Sequence, residues 1–281
     1  MKKIWIFQGL MVLLMAFTTG CKSEFEQIRT SGDANLMLEK AHAYYEAEDY
    51  LRAQTLYELI ISSFRGQQES EKISFNYAYT YYYLEQYVLA AYYFKNFSTT
   101  YGASSFQEEA EFMAAYSNYK LSPTFRLDQS YTQTAIDAFQ EFVNRHPGSD
   151  RVVECNRLID EMRLKQETKE FESAKLYFDL QQYQSAIRSF DNLLIEYPDT
   201  RRGEEVRYNA VRAAYLLADN SFVEKQEERF TEAIERAELF LARYSNSDYI
   251  GEVKKMLLDS QKQLKQLEDV RHQEQSSGSR S

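Results

Sequence analysis

Turn-forming residues are scarce. Nine glycines and three prolines in 281 residues are too few for the many hairpins of a β-sandwich or barrel. Histidine is equally rare, and His42, His146 and His272 lie far apart, so neither a two-histidine metal spacing nor a nucleophile and base pair is visible. No glycine-rich phosphate loop occurs. The two cysteines, Cys21 and Cys155, sit in unlike surroundings and imply no disulfide framework. Positive charge is also in deficit: the formal charge is −10, which disfavours nucleic acid as a partner. What remains is rich in Ala, Leu, Glu, Gln, Lys and Tyr, a helical composition, on a chain long enough for a sizeable core.

The opening MKKIWIFQGLMVLLMAFTTGCKSEFEQ runs from a basic pair through an apolar stretch to Gly20 and Cys21. It resembles a bacterial lipoprotein signal, although Thr18 stands where that signal prefers leucine. The apolar stretch from Ile4 to Phe17 is shorter than the roughly 20 residues of a membrane-spanning helix. The resemblance implies cleavage before Cys21, which then carries an N-acyl group and an S-diacylglycerol lipid (palmitate-type chains) as the only non-protein group. An ordinary secretory signal followed by an incidental cysteine is the other reading. Residues 1–20 are thus expected as signal peptide and 21–33 as a lipidated linker.

A repeat runs through the rest. Ala53, Ala90, Ala135, Ala186 and Ala233 are each followed four residues later by Tyr57, Phe94, Phe139, Phe190 or Ala237. Seven residues further on the segment closes on Phe64, Tyr101, His146, Tyr197 or Tyr244, and turn formers follow. Upstream stand Ala41, Ala78, Ala115, Ala174 and Ala210, four residues ahead of Tyr45, Tyr82, Tyr119, Phe178 and Ala214. Such units are pairs of antiparallel helices, in which a small residue lets two helix axes approach and a ring fills the adjoining hollow. Copy three carries the insertion SPTFRLDQSYT and copy five ADNSFVEKQEER, both placed between the two helices of a pair.

The pattern resembles the tetratricopeptide repeat, which implies an all-α fold: an α-solenoid of five helix pairs with a groove, plus a C-terminal capping helix. Residues 34–149 hold units one to three, 150–271 units four and five with the capping helix, and 272–281 a disordered tail. The segments CKSEFEQIRTSGDANLMLEKAHAYYEAEDYLRAQTLYELIISSFRG, AAYYFKNFSTTYG, KLSPTFRLDQ and EYPDTRRGEE resemble the BamD family of outer membrane protein assembly lipoproteins. For that family the resemblance implies anchorage at the periplasmic face of the outer membrane and no catalysis. It also implies a BamA-like barrel protein as partner of the C-terminal repeats, and nascent outer membrane proteins as clients of the N-terminal ones. A SusD-like glycan receptor and a cell-wall-coordinating repeat lipoprotein are the alternatives. For the partner interface, the insertion around Ala218 to Glu228 and the capping helix offer surface beyond the repeat.

The stretch AYTYYYLEQY, Ala78 to Tyr87, holds five of the chain's 23 tyrosines. At about 100° per residue, Tyr77, Ala78 and Tyr81 share the stripe that packs on the partner helix, while Phe75, Tyr79 and Tyr82 share another. In a tetratricopeptide stack that second stripe faces the groove, with Leu38, His42 and Tyr45 as counterparts in copy one and Phe112, Tyr116 and Tyr119 in copy three. Rings at helical spacing build cores as readily as ligand surfaces, and tyrosine suits both. His42 and Glu46 read as a surface contact, the acidic run Glu108, Glu109 and Glu111 as a solvated first helical turn, and Cys155 as a small buried apolar group.

Overall fold

The computed structural model describes residues 23–278, so the expected signal segment and the expected lipid site at Cys21 lie outside the described residues. Twelve helices and no strand are found among the described residues. A short α1 (Glu24–Arg29) precedes five pairs: α2 (Ala34–Glu46) with α3 (Tyr50–Ile60), α4 (Glu69–Tyr83) with α5 (Tyr87–Thr100), α6 (Gln107–Leu121) with α7 (Ser130–Arg145), α8 (Val152–Asp179) with α9 (Tyr183–Glu196), and α10 (Gly203–Asp219) with α11 (Val223–Arg243). A final helix, α12 (Ile250–Gly278), packs on α10 and α11.

The chain forms two compact units. The described part of the first runs to Pro123 and includes Gln129–Ile159; the second comprises Thr124–Asp128 and everything from Asp160 on. The division therefore falls inside α8 rather than at residue 149. Cys155, Leu158 and Ile159 in its opening turns are buried, which gives this end of the helix a core of its own. Burial also pushes the free Cys155 thiol up to about 11.

The repeat alanines explain the pairing. Ala41, Ala53, Ala78, Ala90, Ala115, Ala135, Ala174 and Ala186 have no exposed surface. Their companions Tyr57, Phe94, Phe139 and Phe190 are fully buried as well. In the second unit Phe171 and Ala174 of α8 share a core cluster with Ala186, Ile187 and Phe190 of α9 and Val206 and Ala210 of α10. Tyr208, Val211, Ala237 and Phe240 form a second cluster with Val253 of α12.

Two turn devices repeat. Within three pairs the three-residue connection turns on a single left-handed residue, Glu48 (φ 59), Glu85 (φ 57) or Gln181 (φ 60). Each lies in the same hydrogen-bonded turn, closed by Asp49 N–H to Tyr44 O, Gln86 N–H to Tyr81 O and Gln182 N–H to Tyr177 O at 2.8–2.9 Å. Rings clasp each turn from outside: Tyr45 on Tyr50, Tyr82 on Tyr87 and Phe178 on Tyr183, edge to face with centroids 5.7, 5.6 and 5.6 Å apart. Between pairs, the hydroxyls of Ser104, Ser149, Thr200 and Ser247 accept from the backbone N–H two residues on, at 2.9, 3.1, 3.0 and 3.0 Å.

Four expectations are corrected. The supposed linker contains α1, capped by the Ser23 hydroxyl, because Phe25 finds Tyr44 (5.8 Å, edge to face) and Ile28 is buried. The insertion of copy five is mostly helix: it lengthens α10 and α11 and leaves only Asn220–Phe222 between them. In the supposed tail, α12 continues to Gly278. The acidic run on α6 is not a solvated turn, as described below.

Left-handed backbone costs a residue with a Cβ roughly 1–2 kcal/mol that glycine avoids. Glu85→Gly should therefore raise stability by about 0.5–1 kcal/mol in chemical denaturation, whereas the same change at Glu39, inside α2, should lower it by about 1 kcal/mol. Destabilisation at both sites would refute the assignment of strain to the turn.

Candidate functional site

The first unit gathers tyrosine rings at the ends of α2 and α4. Tyr83, the last residue of α4, is 45% exposed. It stacks on Tyr50 at 4.3 Å with 17° between planes and on Tyr79 at 5.6 Å and 24°. Tyr45 meets it edge on at 6.4 Å. From Tyr82 the rings continue to Tyr87 (5.6 Å) and Tyr116 (6.2 Å), and from Tyr116 to Tyr119 (5.5 Å). The result is a half-exposed aromatic face running from α2 to α6.

Of the residues expected on this face, Leu38, His42, Tyr45, Tyr79, Tyr82, Tyr116 and Tyr119 are half-buried. Phe75 and Phe112 are core instead. Phe106, from the turn before α6, stacks on Phe75 at 4.6 Å, and the Arg151 guanidinium lies 3.9 Å from the centre of the Phe112 ring. Both covering groups arrive from elsewhere in the chain, where helical angle gives no warning of them. Tyr77 and Tyr81 face inward as expected, buried, with their hydroxyls 2.7 Å apart.

Sequence reasoning missed Tyr50, Tyr83 and Tyr87. The signals were available: Tyr79 and Tyr83 are four apart on one helix, and a ring five residues after a ring recurs at 45/50, 82/87 and 178/183.

Polar groups hold the face in place. Tyr79 donates to Glu109 Oε1 at 2.8 Å, and Arg151 Nη2 donates to Glu109 Oε2 at 2.6 Å. Glu111 takes Arg145 and, at 2.8 Å, His146 Nε2, while Ser149 donates to Glu108 at 2.5 Å. The acidic run thus ties α6 to the turn after α7. His42 makes its hydrogen bond inward rather than to Glu46: its Nδ1 lies 2.7 Å from the Tyr57 hydroxyl, which accepts from Asn76 Nδ2 at 3.3 Å. With Nδ1 unprotonated, the ring accepts the Tyr57 proton and the chain Asn76, Tyr57, His42 is complete.

Burial raises the hydroxyl pKa of Tyr45 and Tyr79 well above the usual tyrosine range and takes Tyr82 up to about 12. These hydroxyls are therefore neutral donors at any physiological pH. Among the described residues no cluster of three or more His, Cys, Asp or Glu could hold a metal.

Alanine-and-ring helix pairs, repeated five times and closed by a further helix, define a protein of the tetratricopeptide-like class. More specifically, the chain belongs to the YfiO family of outer membrane lipoproteins, the BamD family, whose pattern matches residues 31–220. No curated protein sequence matches the chain. Similar solved structures include the TPR2AB-domain:pHSP90 complex of yeast Sti1, 13% identical, with TM-score 0.39 over 81% of this chain and 98% of that one. A TPR repeats protein from Bacteroides fragilis is also 13% identical, with TM-score 0.37 over 82% and 99%. The class rests on the helix pairs themselves rather than on these superpositions.

Burial foremost, and Lys72 after it, lowers the His42 pKa below its ordinary value. The folded state then binds this proton less readily than the unfolded state, so the group's contribution to stability is present above about pH 6.5 and lost as pH falls. Between about pH 7 and about pH 5 the thermal midpoint should fall more steeply for the native protein than for His42→Gln. Parallel curves would show that this ring is not the titrating group.

Proposed function

We propose that this protein is a lipid-anchored adaptor of the β-barrel assembly machinery. Cys21, acylated, holds it to the outer membrane with its repeats in the periplasm, since several acyl chains on one residue anchor a protein firmly without a spanning helix. The N-terminal repeats receive nascent outer membrane proteins, and the C-terminal repeats bind a BamA-type barrel protein. No catalysis enters this role.

Membership of the YfiO family over residues 31–220 is the observation that carries the reading. The aromatic face supports it. A barrel strand presents large apolar side chains on alternate positions and unpaired backbone between them. Half-exposed tyrosines offer ring area to the first and a neutral hydroxyl to the second. A sugar platform fits less well, because Tyr83 is near-parallel to both Tyr50 and Tyr79, which occupies ring faces that a sugar would need open.

Purification of the full-length protein from detergent-solubilised outer membranes should recover a barrel protein with periplasmic modules, and failure to do so would overturn the adaptor role. Cys21→Ala should leave the membrane fraction; continued membrane association would refute the anchor. Replacing Tyr50 and Tyr83 together by alanine should reduce photocrosslinking to a barrel-strand peptide ending in an aromatic residue by roughly tenfold, at about 0.5–1.5 kcal/mol per ring. The helical circular dichroism should stay native. Undiminished crosslinking would remove this face from client binding.

A further inference from the structure

The second unit has a cavity of 310 Å³ lined from α9, α10 and α11, with Asp191, Leu194, Arg207, Arg236, Leu239 and Arg243 among its walls. Buried Val211 and Phe240 supply apolar lining. Three guanidiniums and a single carboxylate border the cavity, in a chain whose formal charge is −10.

The three arginines differ in how they are satisfied. Arg236 is neutralised: it grips Asp191 with two hydrogen bonds of 2.9 and 2.8 Å and Glu232 with a third of 2.9 Å. Arg207 Nη1 donates only to neutral oxygens, the Gly203 carbonyl at 3.0 Å and the Tyr244 hydroxyl at 3.2 Å. Gly203 makes room for it, because a Cβ there would come within 3.1 Å of Nη1. Arg243 lies 5.9 Å from the centre of the Tyr244 ring. Among the described residues neither Arg207 nor Arg243 has a carboxylate within 4.0 Å. Beside them Leu239 is 71% exposed, and Ile195, next to Leu194, is 76% exposed.

Apolar lining, bare leucine and isoleucine, and arginines without counter-ions are the composition of a protein-binding hot spot rather than of an ordinary solvated face. A small inorganic anion would satisfy the arginines and leave the apolar lining uncovered. A purely apolar segment would do the reverse, and would leave two cations under low-dielectric cover.

We propose that this pocket receives a segment of a protein partner in which a carboxylate side chain stands next to a large apolar one. Arg207 and Arg243 take the carboxylate, and the apolar group covers Leu239 and the wall beneath it. Resting on the reading that the C-terminal repeats bind the barrel protein, the proposal locates that contact at α9 to α11, away from Ala218–Glu228 and the capping helix.

The test places p-benzoylphenylalanine at position 239 of the full-length lipidated protein, irradiates cells, and maps the adduct by mass spectrometry. The expected adduct lies on a periplasmic segment of the barrel protein with Asp or Glu within about two positions of a large apolar residue, the spacing that one pocket can hold. Arg243→Glu should cut its yield at least about tenfold and Arg243→Lys less, with circular dichroism and thermal midpoint unchanged, because a lysine keeps the charge but not the planar fork. Arg207→Gln, read in the same way, checks the second guanidinium. No adduct, an adduct on a segment without a carboxylate, an adduct on a second copy of this chain, or a yield indifferent to Arg243→Glu would each overturn the proposal. If the barrel protein still co-purifies with the native chain in those cases, only the pocket assignment falls. If it does not co-purify at all, the adaptor reading falls with it.

Discussion

Close approach of helix axes is the constraint on which the rest of this molecule depends. Where helices pack together stand eight repeat alanines with no exposed surface, and beside half of them a fully buried ring. A larger side chain there would push the axes apart, and the cost of overpacking a filled core is about 1–3 kcal/mol. Because the helices pack mainly on their neighbours along the chain, this condition must be met again at every pair.

The aromatic face grows out of the same architecture. Three left-handed turns are clasped by rings five residues apart, and two of these clasps, Tyr45 with Tyr50 and Tyr82 with Tyr87, contribute rings directly to the face. Tyrosine is well chosen, since its ring locks the turn while its hydroxyl stays within reach of water. Polar contacts follow the repeat too: Glu71, Glu108 and Glu167, each on the first helix of a pair, accept from the hydroxyl in the turn that closes that same pair, at Ser104, Ser149 and Thr200.

The alanine and ring spacing alone made the helix pairs and their number legible, because a buried small residue every repeat is a periodic signal that insertions do not erase. Helical angle also assigned Tyr77 and Tyr81 correctly to the interior. It failed at Phe75 and Phe112, because angle gives the direction of a side chain and not what covers it; Phe106 and Arg151 come from turns outside the helix concerned. The acidic run on α6 was misread for the same reason, since its partners lie 34 to 42 residues downstream. Copy five deceived differently: its insertion is made of good helix formers and was absorbed into the helices it separates.

The ring clasp bears on where such a chain can change length. Pairs with a ring five residues after a ring have a turn of fixed size, because one added residue would separate the rings and lose the left-handed closure. Copies three and five have no left-handed turn among the described residues, and they are the ones that changed length: copy three in its connection Ser122–Gln129, copy five in the helices on either side of Asn220–Phe222. Loss of the clasp thus goes with freedom to change length, taken up by the loop in copy three and by the helices in copy five. The connections Ser122–Gln129 and Asn220–Phe222 are accordingly the natural places to insert a tag or a foreign segment, while the tight turns at Glu48, Glu85 and Gln181 admit substitution but not insertion.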